Sequence, residues 1–457
     1  MDELLTIPAL ELAAAIQRGA LGAEEVTRYF LDRIARHDGP LSSFTAVAPR
    51  RARRAAAALD RARARGRAGT GLWGLPIGVK DLNLVRGLPA RMGSASLSWL
   101  VSPIDDIVAR RFRAAGLVIL GKTSTSELGI LPVVETIIHP PTRNPHAPGH
   151  TSGGSSGGAG AALAAGLLPI AHGSDAGGSI RIPAAFAGVF GYKSTRRALV
   201  TPHAKVDTVG LAVEGPLART ALDAAALADV LRPDGAPSLL EAARRAPGRL
   251  RVHVAVDGAL AATDPEIRAA VLDFARALAA AGHDVEAPAP FVGGTLDEFL
   301  PVMQHMIGRP FVPFAGRLQP VTRWMREEGR RVPEPHAMAL VAALEARLDA
   351  WFGAADVWLT PTVAIPAPPV GRYAGLAPRA TLEAVVEVGA FTAPFNMSGF
   401  PAVSIPVGRT RAGLPIGAQL VMRRGQDGPL LALAAALEAA GLWRSLPPAG
   451  LSSKSEP

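Results

Sequence analysis

The sequence predicts an α/β fold in which a single β-sheet is sandwiched between α-helices. Short apolar, strand-like runs alternate with helical patterns along the whole chain, the arrangement of a sheet covered on both faces. No internal repeat and no Pro/Gly/Ser linker divides the 457 residues into independent parts. A hydrophobic fraction of 49% beside a charged fraction of 19% suits a chain that buries a sizeable core. The expected organisation is one domain in consecutive parts. N-terminal helices cover 1–67, a core 68–245, and a strand–helix–strand with a variable substrate-side region 246–345. Returning strands and a last helix cover 346–445, and a flexible tail 446–457.

Each element has a local reason. Ala9, Leu12, Ala13 and Ile16 form an apolar stripe at helical spacing, and Val26, Phe30 and Ile34 repeat it. A Gly- and Pro-bearing loop over 68–76 leads into a strand at Ile77-Gly78-Val79. A helix from about 104 stops at Gly116, a residue suited to the left-handed C′ position, and a buried strand follows over 117–120. The stretch 132–158 is rich in Pro, Gly, His, Ser and Thr and reads as a long loop, ordered or disordered; loops this long are usually functional. An Ala-rich helix over 159–168, a strand over 169–172 and a tight Gly turn over 174–179 come next. Further on, a strand covers 252–256, and Asp264-Pro265 starts a helix reaching about 281. The stretch 290–340 has less regular periodicity. Strands over 357–360, 402–406 and 416–422 and a helix over 429–441 return to the core, before a tail disordered from 452.

Composition removes several function classes. With no cysteine, the chain has no disulfide, no thiolate nucleophile and no Cys-ligated metal. No run of 18 or more apolar residues is present, and Met1-Asp2-Glu3 is acidic where a secretory signal is basic, so a cytoplasmic protein is expected. The net charge of +9 comes almost entirely from arginine, since Lys80, Lys122, Lys193, Lys205 and Lys454 are the only lysines. The arginines of 50–54 and 61–67 interleave with alanine and carry no aromatics to stack bases, so the charge is a solvated helix face and nucleic acid is not an expected partner.

Two motif matches fail on context. Gly116 to Thr123 spells G-x-x-x-x-G-K-T, but its four variable residues are Leu-Val-Ile-Leu, a buried strand that cannot wrap phosphates. Gly153-Gly154-Ser155-Ser156-Gly157 spells G-x-S-x-G, but no hydrophobic strand precedes it as a nucleophile elbow demands. A Ser–His–acid hydrolase, with His203 or His283 as base, is the second choice within hydrolases. His146 and His150 stand four apart in a Pro/Gly loop without a carboxylate partner, so no metal site is expected.

Three segments together are more specific: Gly74 to Asp81, an apolar run ending in the isolated Lys80; Ser152 to Gly158; and Gly173 to Pro183. With Gly121-Lys122-Thr123, Thr142 to Pro145, Gly215 to Arg219 and Phe395 to Ala402, they resemble the amidase signature family of serine hydrolases from about residue 9 to 442. The resemblance implies a single amidase-signature domain with a central mixed sheet and a Ser–cis-Ser–Lys triad: Ser179 as nucleophile, Ser155 as the cis-serine and Lys80 as base. Ser155 precedes Ser179 by 179 − 155 = 24 residues, the interval the family's two serines keep, which favours it over its neighbour Ser156.

The chemistry agrees with that assignment. A serine hydroxyl needs a base to take its proton, and a lysine serves only when its amine is neutral. Burial behind Leu75, Ile77 and Val79 would lower the Lys80 pKa. A serine between them can both donate and accept. The turn Ala176-Gly177-Gly178-Ser179 would aim backbone N–H groups at one point as an oxyanion hole, each donor worth about 3–4 kcal/mol. Asp175, Arg181 and Ser156 would support the turn.

The expected enzyme is an amidase that cleaves a C–N amide bond, extending to esters or carbamates, without a cofactor. Its substrate would be a small-molecule amide, linear, aryl or cyclic, and it would work as a monomer or homodimer. Ser126 to Gly129 and Ser179 to Ala184 resemble bacterial amidases acting on 6-aminohexanoate amides. Candidate pocket residues are Gly129, Ile130, Leu131, Phe299, Met303 and Met306, with Phe311, Phe314 and Trp324 in the same divergent stretch. The alternative is the glutaminase subunit of a tRNA-dependent amidotransferase, which shares the signature.

Overall fold

The computed structural model describes residues 2–203, 207–258, 260–288 and 290–447. Most of the expected tail, from 448 on, lies outside the described residues, as do Lys205 and Lys454. The strands are β1 (Phe44–Val47), β2 (Pro76–Lys80), β3 (Val118–Thr123), β4 (Arg143–Asn144), β5 (Ala147–Thr151), β6 (Ala171–Asp175), β7 (Phe190–Lys193), β8 (Val213–Ala218), β9 (Arg251–Val254), β10 (Asp284–Glu286), β11 (Val357–Pro361), β12 (Ala402–Arg409) and β13 (Pro415–Val421). Among the described residues, all but β4 and β5 join one mixed sheet in the order β1-β3-β2-β6-β8-β7-β12-β13-β11-β9-β10. The β2–β3, β2–β6, β9–β10 and β9–β11 pairs are parallel, the others antiparallel. Helices cover the sheet, giving the single α/β domain that the alternation of strand and helix patterns predicts.

The central strands are buried along their whole length, which explains why they read as apolar runs without alternation. Helix Gly157–Ala164, composed of Gly, Ala and one Leu, has every residue buried. Its small side chains let it lie inside the molecule with no polar face.

Two stretches differ from the sequence reading, and a third, open there between order and disorder, is decided. The region 1–67, read as helices alone, contains β1 between helices Ala23–His37 and Pro49–Ala64. Four residues on the sheet edge, with Thr45, Ala46 and Val47 only half-buried, are too short to show a period of two. The strand approaches β3 so closely that a Cβ on Gly121 would lie 2.1 Å from the Ala46 carbonyl oxygen. The stretch 132–158 is ordered, held by the β4–β5 pair and by the Thr151 amide donating to the Pro368 carbonyl at 3.0 Å.

The stretch 290–340 is more regular than its composition suggests. It forms helices Leu296–Gly308, Pro320–Gly329 and the start of Glu334–Phe352. Thr295 and Glu298 cap the first reciprocally, and prolines at their first turns start the other two. Their apolar faces form a second hydrophobic cluster with Phe291, Phe391, Phe395 and Trp358, beside the main core.

Candidate active site

Parallel pairing of β2 with β6 brings the carboxyl ends of two strands side by side, where open α/β sheets place their ligands. Lys80 ends β2 and Ser174-Asp175 ends β6. The Lys80 Nζ, fully buried, donates to Ser155 Oγ at 2.8 Å, to Ser174 Oγ at 3.0 Å and to the Ser174 carbonyl at 3.0 Å. Burial pushes its pKa down to about 7, with the charges of Glu214 and Asp175 opposing a larger fall. Ser174 as a lysine partner is not foreseen from sequence. It is an unremarked residue beside a Gly turn, and only strand pairing places it against Lys80.

Ser155 follows a cis peptide bond from Gly154, as the family resemblance implies. The Ser156 amide donates to the Ser179 carbonyl at 3.1 Å, so the two serine-bearing segments are joined directly. The Ser156 hydroxyl donates to the Ser174 carbonyl at 3.2 Å and accepts from the Ser174 amide at 3.3 Å. Ser156 thus ties its loop to β6 and leaves Ser155 to meet the lysine.

The other buried lysines are committed elsewhere. Lys122, from the P-loop-like string, lies in β3 and pairs with Asp81 at 2.7 Å, both side chains without exposure. Lys193 donates to the carbonyls of Ser194 and Phe400, and burial lowers its pKa well below the usual range. Behind Lys80, its backbone amide donates to His172 Nδ1 at 3.4 Å, and His172 Nε2 meets Glu214 at 2.8 Å. His203, one of the conceivable bases, is 3.7 Å from Glu214 and lines a cavity wall.

The Gly turn is organised by Asp175 and Arg181, both fully buried. The Asp175 carboxylate accepts from the amides of Gly178 (2.7 Å), Ile180 (3.1 Å) and Arg181 (3.4 Å), and from Arg181 Nε (3.0 Å) and Nη2 (2.9 Å). Burial opposes its charge, but the Arg181 guanidinium and the Asn396 amide outweigh this and hold its pKa well below the usual carboxylate range. Arg181 also donates to Gln419 (2.7 Å) and Asn396 (2.6 Å), and Thr392 donates to the Gly177 carbonyl at 2.8 Å.

One expectation for this turn is corrected. The sequence pattern offers the Gly178 N–H to an oxyanion, but in the structure that N–H donates to the Asp175 carboxylate. Among the described residues, the amides of Ala176, Gly177 and Ser179 donate to no protein acceptor, so three donors remain. Gly178 has another task. Its φ is +124°, and a Cβ there would lie 2.2 Å from Thr392 Oγ1. Gly178→Ala should therefore destabilise the fold by more than about 1 kcal/mol, read as a lower urea midpoint at unchanged m.

Two cavities meet at Ser179, which lines both together with Gly129 and Ala176. The first spans about 870 Å³, counting space open to solvent, and is walled by Ile130, Gly177, Phe299, Met303, Leu382 and Val386 among others. The second spans about 1480 Å³, counting space open to solvent, and its wall includes Ser155, Ser174, His203, Trp99, Met306 and Phe311. Helix Leu296–Gly308 divides them: Phe299, Leu300 and Met303 face the first, and Met306 and Ile307, up to two turns further on, face the second. Of the expected pocket residues, Leu131 lines neither cavity. Its carbonyl and amide are both held by the Ser126 hydroxyl, at 2.9 and 3.2 Å. Phe314 is 59% exposed with Arg317 over its ring, and Trp324 packs half-buried on the second cluster.

Residues 25–431 match the family model described as Amidase. A Mycobacterium tuberculosis protein named "Putative amidase AmiB2" is 36% identical over 448 residues, 94% of this chain and 95% of that protein. A Synechocystis protein named "Putative amidase" is 32% identical over 456 residues, 96% of this chain and 89% of the other. Among solved structures, 6-aminohexanoate cyclic dimer hydrolase complexed with substrate superposes with a TM-score of 0.87 at 30% identity, over 97% of this chain and 99% of that one. The chain therefore belongs to the amidase (amidase signature) family and is a hydrolase acting on amide C–N bonds.

Proposed function

We propose that this amidase works through an acyl-enzyme on Ser179, with Ser155 relaying protons between Ser179 and Lys80. The observation that carries the reading is the 2.8 Å contact from Lys80 Nζ to Ser155 Oγ, made by a buried amine whose pKa is pushed down to about 7. Such an amine is substantially neutral near neutral pH and can accept a proton. Ser155 and Ser179 line the same cavity, which supports a relay between them.

In this mechanism Ser179 Oγ attacks the amide carbonyl as its proton passes through Ser155 to Lys80. The uncommitted amides of Ala176, Gly177 and Ser179 hold the oxyanion. Collapse breaks the C–N bond, and the relay returns the proton to the departing nitrogen. Water then cleaves the acyl ester by the same route, giving a carboxylic acid and restoring Ser179. The substrate is a small or medium amide, linear, aryl or cyclic. Esters and carbamates present the same carbonyl geometry.

The proposal extends to a cytoplasmic enzyme, monomeric or homodimeric, with a small-molecule substrate and no nucleic-acid or membrane partner. The lack of cysteine, and arginines that interleave with alanine rather than aromatics, support this. No helix among the described residues is long and apolar enough to cross a membrane. A sulfonyl fluoride should sulfonylate Ser179 with loss of HF, so that a peptide containing Ser179 gains the reagent's mass less HF, and should abolish amide hydrolysis. Peptide mapping that finds the label elsewhere, or full activity in Ser179→Ala, would refute the assignment.

A further inference from the structure

We infer that the two cavities divide the substrate at its scissile bond: the first takes an uncharged, apolar acyl group and the second takes the departing amine. The inference rests on the Ser179 reading above and adds the orientation and class of substrate.

Orientation follows from where the relay opens. Ser155 and Ser174, the two hydroxyls on Lys80, line the second cavity and not the first. The leaving nitrogen must receive its proton from that relay, so it faces the second cavity as the C–N bond breaks. Gly177, one of the three uncommitted oxyanion donors, lines only the first. The acyl carbon, bound to Ser179 Oγ after the amine leaves, therefore carries its substituent into the first.

The class of acyl group follows from the wall. The first cavity has no ionisable side chain among its described lining residues. Its polar side chains are Ser179 and Thr295, and the Thr295 hydroxyl is held in the cap of helix Leu296–Gly308. A carboxylate or ammonium on the acyl group would be desolvated there without a partner, whereas methylenes gain from burial. The second cavity differs: His203 and Asp207 stand in its wall, and Trp99 and Phe311, 58% and 90% exposed, stand where it meets solvent. Glutamine, whose acyl part bears both an ammonium and a carboxylate, does not fit this orientation.

The test uses the whole enzyme and synthetic amides. Hexanoyl anilide should exceed acetyl anilide in kcat/KM by roughly 250-fold, about fourfold for each of the four added methylenes. A carboxylate at the far end of the acyl chain (adipic monoanilide) should cost roughly 100-fold or more, as an unpaired buried charge. The same carboxylate on the ring, in N-hexanoyl-4-aminobenzoate, should cost less than about tenfold at a solvent-open site. Val386→Trp, in the first wall, should compress the hexanoyl-to-acetyl ratio at least about tenfold, and Met306→Trp, in the second, should alter the anilide-to-primary-amide ratio instead.

Reversal of the carboxylate preference, or a crossover of the two variants' effects, overturns the orientation. Equal tolerance of charge on both sides overturns the acyl class. These wild-type comparisons hold even if a tryptophan variant does not fold. Failure of the Ser179 reading is distinguishable, because then Ser179→Ala hydrolyses hexanoyl anilide as the wild type does.

Discussion

Replacing Lys80 with methionine should lower kcat by about 10³-fold while changing KM by less than about threefold, because the amine acts on the proton in flight and not on the bound ground state. In the wild type, kcat/KM should rise with pH through about 7, the value to which burial pushes the Lys80 amine. That rising limb should vanish in the variant's residual rate. The same substitution has a stability signature of defined sign. Between about 7 and the ordinary 10.5 the unfolded chain holds a proton on Lys80 that the folded chain does not, so wild-type stability rises with pH across that window. Below about 7 the folded state carries a buried ammonium and bears the whole penalty. Lys80→Met should thus gain most relative to wild type below 7, and the gain should fade toward 10.5. The lost hydrogen bonds to Ser155 and Ser174 shift this difference by an amount independent of pH. Thermal melts at either end of the window read the slope, and a flat difference would mean that Lys80 is protonated in the folded state throughout. A variant with near-wild-type kcat would end its role as base.

What is legible in the sequence divides along a physical line. Lys80 stands out because an apolar run leads straight into a charged residue, and a buried strand end is what such a run makes. Ser155, set between two glycine pairs, and Ser179, directly after one, stand out because such glycines mark turns where a backbone must bend sharply. The central strands are legible for the same reason that they are buried on both faces. Partners brought in from far along the chain are not legible. Asn396 and Gln419 reach Arg181 across 215 and 238 residues of sequence, and no local pattern announces either contact. The short edge strand β1 hides between two arginine-rich helices because four residues carry no period. The Gly178 amide could be any turn N–H until the Asp175 carboxylate is seen beneath it.

Arg181→Met should destabilise the protein by about 3–5 kcal/mol, because it leaves the buried Asp175 carboxylate without its charge partner. Arg181→Lys should recover little of this, since one ammonium cannot reproduce the planar fork that binds Asp175, Asn396 and Gln419 together. The pH dependence separates a lost charge pair from lost packing. In the wild type the folded Asp175 pKa lies below the ordinary 3.8, so its stabilising contribution is present above 3.8 and is lost only as pH falls through the lower folded value. In Arg181→Met that carboxyl loses its largest opposing charge, leaving the Asn396 amide, the Lys193 charge and the turn's N–H groups against burial, so its pKa rises and the folded variant takes up a proton at higher pH than the folded wild type does. The stability gap between the two proteins should then narrow as pH falls through the carboxylate range. A gap independent of pH would assign the loss to packing. Activity should fall with stability, because the Gly178 and Ile180 amides on either side of Ser179 both donate to Asp175. A carboxyl that protonates or shifts releases both anchors of the turn. An Arg181→Met enzyme assayed well below its melting temperature should therefore retain its fold and still show a reduced kcat, which a purely structural role for Arg181 would not produce.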